Sequence, residues 1–141
     1  MPVDPAHKGK RFPAFSLAVE RGKLHEFVLA IEDPNPDYFG DEPPLPPTFP
    51  TVFAFWSESD LAKNLSSIGV DIWQVLHAEQ EYEYMAPIKV GDMITGQPMI
   101  TDIYTKKGRS GDLNFVEVET LYTNQEGVDV LKERALLIVR E

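Results

Sequence analysis

Cysteine is absent from this 141-residue chain, which removes disulfides and thiolate metal sites together. Long apolar runs are absent too: nothing near the N-terminus is built like a signal peptide, and no stretch approaches a membrane span. Basic residues are scarce, 13 against 23 acidic ones, and the net charge of −10 repels phosphate backbones and anionic lipid. Nucleic acid and membrane are therefore not expected as partners, and a soluble cytoplasmic protein is expected. Histidine stands only at positions 7, 25 and 77, none paired with another ligand at metal-binding spacing, so no metal site and no cofactor are expected.

What is present is 43% apolar residues, enough for one substantial core, so residues 1–141 read as a single domain. Proline is unevenly spread: seven of the twelve lie between Ile31 and Thr51, in IEDPNPDYFGDEPPLPPTFPT. Fixed φ at each proline, with Asp33, Asn35 and Asp37 able to bond their own backbone, predicts tight successive turns able to hold a carboxylate still.

Residues 1–13 show no periodicity and read as an extended arm of modest order that carries no chemistry. Phe15 to Glu20 reads as a short strand. Leu24, Phe27, Val28 and Ile31 then fall at i, i+3, i+4 and i+7, a one-faced helix that Asp33-Pro34 should end. Thr48 can cap a helix over 50–57, and its run VFAFW is apolar all round, which predicts a buried helix. Ser57, Ser59 or Asp60 can start a second short one.

From Val75 the period becomes two. His77, Glu79, Glu81 and Glu83 are expected on one face of a strand, with Ala78, Gln80, Tyr82 and Tyr84 on the other. After a turn at 89–92 come long strands over 93–106, 113–124 and 128–140, with a bulge or an edge position expected at Pro98. This pattern is α+β: an antiparallel sheet curled around a central helix, the hot-dog arrangement.

The string I-E-D-P-N-P-D-Y resembles the G-D-x-N-P-x-H signature of MaoC-like (R)-specific hydratases and dehydratases, with Tyr38 where the signature has histidine. PPTFPT, LHAEQEYEY, PIKVGD, GRSGDLNFVEVETLYTNQEG and ALLIVRE are similar to the N-terminal, FAS1-like dehydratase type of that family, over nearly the whole chain. The resemblance implies a subunit of an (R)-specific 3-hydroxyacyl-thioester dehydratase or enoyl-thioester hydratase. Such a subunit would shape the acyl tunnel beside a separate chain that carries the complete Asp/His dyad. The expected ligand is an acyl-coenzyme A or acyl carrier protein thioester. A non-catalytic acyl-thioester-binding homodimer is a second reading, and a self-sufficient hydratase using Asp33 with Tyr38 a third.

Each candidate residue has two readings. Asp33 could orient water or take the α-proton, or serve as a turn residue, with Asn35 supporting the loop and the substrate it holds. Tyr38 can donate a hydrogen bond but is a poor base, since a free phenol titrates near ~10 and a free imidazole near ~6.5; it could equally pack the loop onto the sheet. At the central helix's N-terminus Pro50 has no N–H, leaving the amides of Thr51 and Val52 to meet a thioester oxygen. Lys106, Lys107 and Arg109, the one basic cluster, could meet coenzyme A phosphates or an acidic carrier protein, or be solvated turn residues. His77 is expected near a dimer seam and His25 in solvent.

Overall fold

The computed structural model describes residues 3–55 and 60–140. Its elements run β1 (Phe15–Ala18), α1 (Arg21–Ala30), α2 (Thr51–Phe55), α3 (Leu61–Ser66), β2 (Val75–Tyr84), β3 (Met93–Gly108), β4 (Gly111–Thr123) and β5 (Asp129–Val139). The strands form one antiparallel sheet in the order β1-β3-β4-β5-β2. This is the expected hot-dog arrangement, a long sheet laid around a short central helix. Of the helix predicted over 50–57, Trp56 and Ser57 lie outside the described residues, as does Ser59; α3 starts from Asp60, whose Oδ1 accepts from Lys63 N at 3.0 Å. Among the described residues no helix is long and apolar enough to cross a membrane.

Alternation along β4 sends Val116, Val118, Thr120 and Tyr122 inward, with Val116 and Val118 in one apolar cluster and Tyr122 in another. One lies under α1 and α2 and centres on Phe53, which is fully buried and meets Phe49 and Tyr122 edge-on at 5.8 and 5.3 Å. The other lies under α3 and includes Leu65, Ile68 and Val116. Gly96 is glycine for a steric reason: a Cβ there would stand 2.6 Å from Phe15 Cζ and 2.8 Å from Tyr122 Cε1.

Four local expectations are corrected. The N-terminal arm is built into the sheet: Phe12 N donates to Pro98 O at 3.0 Å and Ile100 N to Lys10 O at 2.9 Å, with Val3 and Phe12 buried. Because N–H and C=O of a strand residue point the same way, Pro98's missing N–H faces this arm, and its pairing with Thr120 on β4 survives. The bulge falls instead between Ile100 and Asp102. A second bulge, between His77 and Glu79, reverses the parity of β2, so His77 shares a face with Gln80 and Tyr82 rather than with the glutamates. His25 is half-buried, its ring 5.0 Å from Phe39 and its Nε2 without a hydrogen-bond partner among the described residues.

β2 is an edge strand of ten residues, none of them buried, with one side of its backbone unpaired among the described residues. Such an edge templates pairing with another chain. Sedimentation at micromolar concentration is expected to show at least a dimer, and a monomer alone would refute edge pairing. In the core, Phe53→Ala removes a fully buried ring, which costs ~3–5 kcal/mol. Calorimetry should find its Tm lower by about 10 °C or more, or no cooperative transition at all.

Candidate functional site

The proline-rich loop begins where α1 ends, and its order comes from local hydrogen bonds. Glu32 takes a left-handed conformation at φ 55°, while Glu32 N and Asp33 N return to Leu29 O and Val28 O at 3.2 and 3.3 Å, a Schellman cap made without glycine. Asp33 Oδ1 then accepts from Asn35 N, and Asn35 Oδ1 from Asp37 N, both at 3.0 Å. The chain closes into a single 3-10 turn over Pro36–Phe39. Tyr38 is 8% exposed and packs in the α1/α2 cluster. Arg21 fastens the loop's far end with two 2.7 Å bonds to the carbonyls of Gly40 and Asp41.

The first turn of α2 is likewise engaged within the chain. Thr51 N donates to Thr48 O at 3.1 Å and Val52 N to Phe49 O at 3.0 Å. What this turn presents outward is a hydroxyl: Thr51 Oγ1 lies 2.7 Å from Tyr82 OH on β2. The pair stands at a cavity of about 810 Å³ between the inner face of the sheet and helices α2 and α3. Phe12, Phe15, Leu61, Ile72, Val75, Val118 and Leu137 supply apolar walls.

Of the residues singled out from sequence, the cavity takes in Thr51 and His77. Asp33, Asn35, Tyr38 and Val52 do not line it, nor do Lys106, Lys107 and Arg109. Lys106 Nζ instead sits 5.5 and 5.6 Å from the ring centres of Tyr104 and Phe115, which stack at 4.9 Å, while Lys107 and Arg109 are exposed at the β3–β4 turn. A shallower recess of about 400 Å³ opens on the other face of the sheet, where Glu119 and Lys132 pair at 3.9 Å.

One wall of the large cavity is polar. His77 Nε2 meets Gln80 Oε1, Gln80 Nε2 donates to Glu133 Oε1, and Tyr122 OH donates to Glu133 Oε2, each at 2.7 Å. The bulge beside Ala78 makes this wall possible, since a regular strand would turn His77 away from Gln80. Burial is the main reason the phenols of Tyr82 and Tyr122 titrate above the usual tyrosine range, and the Glu133 charge adds to it. Sequence reading missed Glu133. The signal was its place in the inward stripe Leu131, Glu133, Ala135, Leu137, where a lone carboxylate interrupts apolar residues.

The family described as FAS1-like, dehydratase domain region matches residues 6–133. A UPF0336 protein of Saccharopolyspora erythraea is 28% identical over 150 residues, covering 99% of this chain and 93% of the relative. Among solved structures, the C-terminally truncated HadBC (3R-hydroxyacyl-ACP dehydratase) complex of Mycobacterium tuberculosis superposes with a TM-score of 0.77 at 21% identity, covering 98% of this chain and 99% of that one. The ChsH1-ChsH2 complex of the same organism gives 0.69 at 15%, covering 93% and 84%. These structural likenesses establish a shared fold.

Three tyrosines of this region bind their protons more tightly than free phenols do. Burial is the chief cause for each, and the pKa of Tyr84 is pushed up to about 12. Above pH ~10 the unfolded chain releases phenolic protons that the folded chain retains, so stability should be full below pH 10 and fall as pH rises from there towards 12. Urea midpoints measured from pH 8 to 11.5 should show this decline, with a shallower slope in Tyr122→Phe. Equal slopes would show that Tyr122 does not carry the linkage.

Proposed function

The chain belongs to the FAS1-like dehydratase domain family, and from that membership we propose that it is one subunit of an (R)-specific 3-hydroxyacyl-thioester dehydratase or enoyl-thioester hydratase. In this reading residues 1–141 act as one domain that shapes the acyl tunnel, while a partner chain supplies the complete Asp/His dyad. The observation that carries it is a contrast within the molecule. There is a roomy, largely apolar cavity under α2, yet the loop aligned with the family's catalytic signature has Asp33 accepting a backbone N–H and Tyr38 packed in the core.

Removing water from a 3-hydroxyacyl thioester requires one group to take the α-proton and another to protonate the departing hydroxyl. A phenol is a poor general base beside the imidazole that the signature calls for. Asp33 with Tyr38 is therefore a degenerate pair, and the dyad has to come from elsewhere. HadBC and ChsH1-ChsH2 are complexes named for two components, which supports a second, different subunit here. The edge of β2, unpaired among the described residues, is the surface on which that subunit is proposed to continue the sheet.

Within the tunnel, the hydroxyls of Thr51 and Tyr82 are proposed to meet the thioester carbonyl, since the amides of Thr51 and Val52 are already bonded. Lys106, Lys107 and Arg109 are proposed to receive the phosphates of coenzyme A or the acidic surface of an acyl carrier protein.

The isolated chain should hydrate enoyl-coenzyme A ~10²–10⁴-fold more slowly than the same chain mixed with its dyad-bearing partner, the range that general acid–base assistance typically supplies. In that mixture Asp33→Asn should lower turnover only mildly. Robust turnover by the isolated chain, abolished by Asp33→Asn, would instead establish a self-sufficient enzyme.

A further inference from the structure

Glu133 is a carboxylate in the floor of a mainly apolar cavity, and the dehydration chemistry proposed above makes no use of it. Its register partners are Tyr82 on β2 and Thr120 on β4, so it lies one strand inward from the free edge of the sheet. Each of its oxygens accepts one hydrogen bond, from Gln80 Nε2 and from Tyr122 OH, both at 2.7 Å. The Gln80 amide has one workable orientation. Its Nε2 must donate to the carboxylate, so its Oε1 accepts from His77, which therefore carries a proton on Nε2.

All the donors of this relay thus point towards Glu133, and each carboxylate oxygen keeps a further lone pair. A plain hydrocarbon laid over that group strips its water and returns no hydrogen bond, whereas a hydroxyl replaces the water directly. Two donors already stabilise the charge, so a neutral hydroxyl is enough.

We propose that the cavity takes an acyl chain bearing a hydroxyl beyond C3, and that Glu133 accepts the hydrogen bond from this hydroxyl. The inference rests on the acyl-site reading above. With the thioester at the Thr51–Tyr82 pair, Glu133 belongs to the neighbouring strand in register with Tyr82 and bonds neither of those two hydroxyls, so its carboxylate is a separate polar point of the cavity, assigned to a different carbon of the chain from the one held at the thioester.

The test is calorimetric titration of the native assembly with pantetheine thioesters, the portion that coenzyme A and acyl carrier proteins share. The three ligands are decanoyl, 5-hydroxydecanoyl and the unreactive (S)-3-hydroxydecanoyl pantetheine. The 5-hydroxy ligand should bind roughly 10–100-fold more tightly than the decanoyl one, as a hydrogen bond to a charged group allows. Glu133→Leu should abolish this preference. Should that variant fail to fold, the near-isosteric Glu133→Gln gives the same readout, with the preference reduced by about fivefold or more.

Equal affinity for the decanoyl and 5-hydroxy ligands, a preference that survives loss of the carboxylate, or a preference confined to the 3-hydroxy ligand would overturn the inference while leaving the acyl reading intact. Absence of binding by all three would overturn both.

Discussion

Phe53 meets Phe49 on one side and Tyr122 on the other, each ring edge to face, and this aromatic stack fixes where α2 stands on the sheet. The site depends on that placement. α2 carries Thr51, and Thr51 reaches Tyr82 only because the helix is held over the inner face at this height. Gly96 belongs to the same constraint, since any side chain there would displace Phe15 and Tyr122 and with them the seat of the helix. Edge-to-face aromatic pairs add ~0.5–1.5 kcal/mol each beyond their burial, but here their larger effect is geometric.

Tyr122 has two duties that meet in one side chain. Its ring is buried against Phe15 and Phe53, while its hydroxyl crosses into the cavity wall and donates to Glu133. Core packing therefore sets the position of a polar group in the site. The relay from His77 to Glu133 is built across two strands and is held by fully specified donors and acceptors, which is how a polar wall stays ordered beside apolar ones.

Much of this was legible in the residues. Alternation located β2 to β5, the i, i+3, i+4, i+7 spacing located α1, and the apolar VFAFW run pointed to the helix whose Phe53 is fully buried. The bulges beside Ala78 and Thr101 were not legible, because a bulge is decided by packing between strands and leaves no mark in one strand's composition. Missing the first of them put His77 on the wrong face, and the polar relay went unseen. The N-terminal arm looked loosely ordered because its order comes from pairing with β3, a partner distant in sequence. For the proline-rich loop, turn chemistry was foreseeable, since Asp33 and Asn35 both bond backbone two residues on. Whether those side chains also serve catalysis is a question of what lies opposite them, which one chain's residues do not encode.

The exposed edge of β2 bears on how such a protein is made. A newly synthesised chain carries ten residues of open backbone ladder, able to capture any extended segment leaving a nearby ribosome. Glu79, Glu81 and Glu83 follow one another along that strand, but Arg134 on β5 pairs with Glu79 at 3.0 Å and lies 3.9 Å from Glu81, so the edge presents a mixed charge pattern that a pairing strand has to match. An edge of this length left uncovered is open to such misassembly, so the yield of folded protein depends on how soon a strand that covers β2 is present.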